Sequence, residues 1–108
     1  MAFQVAELSF TLIEELRPIV GGVKKRDRAL ADQLMRAASS VALNIAEGQL
    51  SDPGNMKARF FTAAGSANES RAALRVAVGW RHISPASAER ARALLDQIVA
   101  ILWTLTRR

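Results

Sequence analysis

The chain has 108 residues, with 15 Lys and Arg against 10 Asp and Glu for a net charge of +5. One domain of this length buries about two-thirds of its unfolded surface, enough for a single core, and the absence of cysteine excludes disulfides, thiolate metal sites and thiol nucleophiles. No stretch approaches the ~18 apolar residues of a membrane span, and MAFQVAELSF lacks a basic segment leading into an apolar run, so the expectation is a cytoplasmic protein without membrane contact, basic enough to suit an anionic partner.

Val5, Leu8, Leu12, Leu16, Ile19 and Val23 recur every three or four residues, the period of one helix face. They predict a first helix over about residues 3–20, weakened in its last turns by Pro18 and stopped by Gly21-Gly22. Asp27 is placed to cap a second helix over about residues 27–48, with Leu30, Leu34, Ala37, Val41 and Ile45 as its stripe and Gly48 as its C-terminal cap. After the turn QLSDPGN, either Asp52 before Pro53 or Asn55 starts a third helix over about residues 53–81, with Met56, Phe60, Ala63, Ala67, Leu74 and Val78 on one face. Ser84-Pro85 starts a fourth over about residues 85–106, with Ala91, Leu94, Leu95, Ile98, Ile101, Leu102 and Leu105 as its stripe. Helices of this length joined by short turns predict an all-α, up-down-up-down antiparallel four-helix bundle, a single domain over residues 1–108.

The helices carry more apolar surface than one core uses. On the first, Phe3, Ala6, Phe10 and Ile13 lie roughly opposite Leu8 and Leu12, because each residue turns the helix by about 100°. Leu43 and Ala46 point away from Val41 on the second helix, and Trp103 points away from Ile98 on the fourth. Scattered apolar surface is ordinary, but Phe3, Phe10, Ile13 and Leu43 recur in register and predict a subunit interface, hence a homo-oligomer.

Gln33, Arg36, Ser40, Asn44 and Glu47 form a polar ridge along the flank of the second helix's buried stripe. Arg59, Ser66 and Ser70 lie on a comparable flank of the third. Ala37, Ala38, Ala42, Ala63, Ala64, Gly65 and Ala67 let the two backbones approach closely. A structural network of Gln33, Arg36, Ser40, Asn44, Glu47, Ser66 and Glu69 would then fix the register of two otherwise featureless helices. The chemical alternative is a hydrolytic site around Asn44, Glu47 and Glu69. Little else supports catalysis. His82 is the only histidine, so neither a Glu-x-x-His di-iron site nor a multi-histidine zinc site can be built. Glu14 and Glu15 are adjacent and point to different sides of their helix, and no Gly-x-x-x-x-Gly-Lys loop occurs. The expectation is a protein without catalytic residues, metal or cofactor.

Arg17, Lys24, Lys25, Arg26 and Arg28 stand against the single acidic Asp27. In an up-down bundle the first and third turns share one end, so Arg81 and His82 should join them there. Such a rim suits sequence-independent contacts to RNA or DNA phosphates and lacks the interleaved aromatics that favour base stacking. The bland reading is a solubilising loop; the competing functional reading is an oligomeric scaffold that recruits a protein and touches no nucleic acid.

The run Asp27-x-x-Leu30-x-x-Gln33-x-x-Arg36-Ala37-x-x-Ser40-x-x-x-Asn44-Ile45-Ala46-Glu47-Gly48, with Phe60-x-x-Ala63-Ala64-Gly65-Ser66-Ala67-x-Glu69 downstream, resembles the bacterial four-helix bundle proteins named after the 23S rRNA intervening sequences that encode some of them. The match is close over the second and third helices; the first and fourth agree in length and apolar pattern. The resemblance implies a homopentameric ring and kinship with the accessory proteins of diversity-generating retroelements, which bind nucleic acid and a reverse transcriptase. It implies no established enzyme activity.

Overall fold

Four helices make up most of residues 1–107, the part of the chain that the computed structural model describes: α1 (Ala2–Lys24), α2 (Arg28–Gln49), α3 (Pro53–Gly79) and α4 (Pro85–Thr106). No strand occurs among the described residues. Three of the helices begin on side-chain caps. Asp27 accepts the Leu30 N–H at 3.0 Å, Asp52 the Asn55 N–H at 3.1 Å, and Ser84 the Ser87 N–H at 3.1 Å, each satisfying a donor that a helix start leaves orphaned. Pro53 and Pro85 follow at the first helical position, where a missing N–H costs nothing. The Asn55 backbone N–H, helped by its side-chain amide, holds the Asp52 carboxyl below the usual carboxylate range.

Two expected stops are displaced. α1 continues through Pro18 and Gly21-Gly22 to Lys24. Ile19 and Val23 are buried beyond or between these breakers, and burial worth roughly 1.5–3 kcal/mol for each outweighs the ~1 kcal/mol that each glycine costs inside a helix. The helix closes where the N–H groups of Arg26 and Asp27 both reach the Val23 carbonyl, at 2.9 and 2.8 Å. Gly48 is no cap either: it lies within α2, buried. A Cβ there would stand 2.7 Å from Phe60 Cε1, so its missing side chain is the space that the Phe60 ring occupies. α3 ends at Gly79 in a Schellman closure, with the His82 N–H on the Ala77 carbonyl and the Arg81 N–H on that of Val78, both at 2.9 Å. Arg81, at φ 61°, holds the left-handed position that glycine usually fills.

The helices pack in the cyclic order α1–α2–α3–α4–α1. At about 1.5 Å per residue they are roughly 33–40 Å long, close to the 42 Å long axis of a molecule only 21 × 19 Å across. Connections too short to span that length make successive helices antiparallel, the geometry of a bundle. Leu12, Leu34, Ile45, Phe60, Leu95, Ile98 and Leu102 fill the core, and buried Ala63, Ala67, Ala73 and Ala77 let α3 approach its neighbours closely. The buried face of α1 is centred on Val5, Ser9, Leu12 and Leu16, rotated from the expected stripe. Ala6, expected outside, is therefore buried, while Leu8 is half-buried. Ser9 is tolerated there because its hydroxyl donates to the Ala6 carbonyl at 2.6 Å. Among the described residues no helix is long and apolar enough to cross a membrane.

Candidate nucleic-acid interface

The α1–α2 and α3–α4 turns meet at one end of the molecule. His82 Nε2 lies 3.5 Å from Asp27 Oδ2, and Ile83 borders Gly22. Around this contact Lys24, Lys25, Arg26, Arg28 and Arg81 are exposed, and none of them pairs with a carboxylate among the described residues. The one acid in the turns, Asp27, is engaged by the Leu30 N–H and by His82. The positive charge of this end is therefore left unneutralised and open to solvent, the arrangement that raises the local concentration of a polyanion. Arg17 stands apart, about 10 Å along α1 from Lys24, in the α1–α2 groove with Ile13, Glu14 and Met35. The rim also holds an aromatic: Trp80, which follows the last residue of α3, is 70% exposed. Its signal in the sequence is the tripeptide Trp80-Arg81-His82, which reads equally well as a helix end.

The polar ridge divides into two parts. Ser40 Oγ and Ser66 Oγ hydrogen-bond at 2.8 Å across α2 and α3. Asn44 Nδ2 donates to the Ser40 carbonyl and hydroxyl at 2.9 and 3.0 Å. Arg59 reaches both Asn44 Oδ1 at 3.5 Å and Glu47 at 3.0 Å. Gln33, Arg36 and Glu69 are not joined to this chain of contacts. They are exposed and line, with Asp32, an open groove of about 470 Å³ beside Ser40 and Ser66. Glu47 sits in a solvent-exposed ion pair, and no group of three or more His, Cys, Asp or Glu that could hold a metal ion occurs among the described residues. What the ridge can do on this geometry is tie α2 to α3.

Phe3, Phe10 and Leu43 are 74%, 50% and 64% exposed, whereas Ile13 is half-buried against the core. Met35, half-exposed, lies between Ile13 and Leu43: it lines one groove with Ile13 and another with Leu43. Its spacing from Ser39 and Leu43, four and eight residues, was the legible sign of one continuous α2 stripe.

The family model of the 23S rRNA-intervening sequence proteins matches residues 1–104. Among solved structures, a crystal structure of a protein of unknown function from the S23 ribosomal protein family of Bacteroides thetaiotaomicron is similar with a TM-score of 0.89. The two share 16% identity over 96% of this chain and 99% of that one, a likeness of fold. No curated protein matches.

Proposed function

Because the chain belongs to the 23S rRNA-intervening sequence protein family, we propose that it is a non-enzymatic, homo-oligomeric accessory protein of the cytoplasm that binds the backbone of RNA or DNA through its basic rim. The observation that carries this reading is the cluster of Lys24, Lys25, Arg26, Arg28 and Arg81 at one end, without acidic partners among the described residues. Exposed cations on turns add little to stability, and phosphate contact gives this clustering a purpose. The exposed Phe3, Phe10, Met35 and Leu43 supply the apolar surface for self-association. A ring, five-membered as the resemblance implies, would repeat the rim in each subunit and raise avidity for a long strand.

Binding measured across a salt series tests the proposal. Lys24→Ala, Lys25→Ala and Arg26→Ala combined should weaken binding to unrelated sequences alike, because phosphate contacts carry no base information. Each lost contact should make the logarithmic salt slope shallower by about 0.7–0.9. A triple variant with wild-type affinity and slope removes the rim from the mechanism. No binding by the intact protein at low salt favours the second reading, an oligomeric scaffold that recruits a protein such as a reverse transcriptase and touches no nucleic acid.

A further inference from the structure

We infer that Trp80 is a stacking platform for an unpaired base, so that the rim takes single-stranded RNA or DNA in preference to duplex; this rests on the phosphate-binding reading above. An aromatic ring normally contributes by burying a large apolar area, yet Trp80 leaves 70% of its surface to solvent. Its chain neighbours are Arg81 and His82, and His82 is in contact with Asp27 in the Lys24-Lys25-Arg26 turn. Chain connectivity keeps the Cα atoms of Trp80 and His82 within about 7.6 Å. A π surface thus adjoins Arg81 at the end of the bundle that carries the unpaired Lys24, Lys25 and Arg26. Single-strand binding uses the same two elements, cations for the backbone and an aromatic face for the bases, whatever the sequence. A duplex stacks its bases internally and offers such a rim mainly phosphates.

Two further observations separate Trp80 from an incidental surface aromatic. The closure of α3 holds it on fixed backbone: its own N–H bonds the Val76 carbonyl at 2.9 Å, and the next two N–H groups bond Val78 and Ala77. Arg81 completes that closure at φ 61°, a conformation costing about 1–2 kcal/mol in a residue with a Cβ. A platform whose backbone is already ordered loses less freedom on binding. The other tryptophan, Trp103, is differently placed. The Arg107 guanidinium covers one face at 4.0 Å from the ring centroid, and Trp103 lies about 27 Å along α4 from Pro85, toward the opposite end. Among the described residues no cation covers Trp80.

The chain has two tryptophans, so Trp103→Phe in the full-length protein leaves Trp80 as the only indole. Titration with a thymidine homopolymer, the matching abasic deoxyribose-phosphate polymer and a mixed-sequence duplex then separates base from backbone. The homopolymer should quench Trp80 emission and bind more tightly than the abasic polymer, while the duplex leaves emission unchanged. Trp80→Ala should weaken homopolymer binding about 5- to 150-fold, to the abasic level, with abasic binding unaltered and Trp80→Phe restoring part of the loss. Unchanged homopolymer affinity in Trp80→Ala overturns stacking; persistent salt-dependent binding would leave the phosphate reading standing. Equal loss for homopolymer and abasic polymer also overturns it, since that is the mark of a structural role, as does equal quenching by duplex. Failure of all three polymers to bind at low salt overturns the rim reading and stacking together.

Discussion

The side chain of Asn44 bridges two elements: it donates to the Ser40 hydroxyl at 3.0 Å while its carbonyl oxygen receives Arg59 of α3 at 3.5 Å. Asn44 is half-buried, and Asn44→Ala removes a donor from the Ser40 hydroxyl and the acceptor that faces Arg59. A loss of about 1–2 kcal/mol is expected in thermal or denaturant unfolding. Glu47→Gln should cost less than about 1 kcal/mol because its ion pair is exposed. If the larger loss falls at Glu47, the ridge is organised around its charge and not its amide.

Gly48 and Phe60 share one space. Gly48→Ala sets a methyl group against the Phe60 ring, and overpacking of this kind costs roughly 1–3 kcal/mol. Combining Gly48→Ala with Phe60→Leu should recover part of that loss, a non-additivity that a double-mutant cycle reads directly. Additive losses would mean that the ring and the new methyl group do not compete.

Arg81→Gly relieves the left-handed backbone strain at the end of α3. It should raise stability by about 0.5–1 kcal/mol, the part of the ~1–2 kcal/mol strain left after the added freedom of the unfolded chain is subtracted. The same change removes a rim cation and should weaken nucleic-acid binding. Opposite signs in the two measurements are the expected outcome; a variant improved in both would free Arg81 from any phosphate contact.

Phe3 and Phe10 are exposed on α1 and lie outside the bundle's core. Replacing both by serine should leave helical content and monomer unfolding intact while producing smaller particles in light scattering. An unchanged particle mass would exclude them from the subunit interface.

Helices were legible in the sequence because apolar period and caps agreed: Asp27, Asp52 and Ser84 each sit before a stripe, and each caps as its position suggests. Ends were less legible. Gly21, Gly22 and Gly48 look alike to a rule about stops, yet burial of Val23 carries α1 past the first two and the ring of Phe60 claims the third. A helix at 3.6 residues per turn also leaves its orientation about the axis loosely determined at the edges of a stripe. Ala6 is accordingly buried, and Leu8 is half-buried against the core. In the site, the meeting of the two turns followed from topology alone, whereas the separation of Arg17 from the rim depended on α1 running one turn further. The contact of Ser40 with Ser66 needed both the small residues around them and a register that only packing fixes.

The cyclic helix order carries a kinetic consequence. Three of the four interfaces join helices consecutive in the chain, and only α1 with α4 closes a long loop. Chains dominated by such local contacts fold in microseconds to milliseconds. Docking of α1 on α4, which also brings Glu15 to within 3.2 Å of Arg90, completes the monomer. The self-association proposed above is then a separate, later step: its rate should rise with protein concentration after the helical signal has already returned, whereas proline isomerisation is independent of concentration.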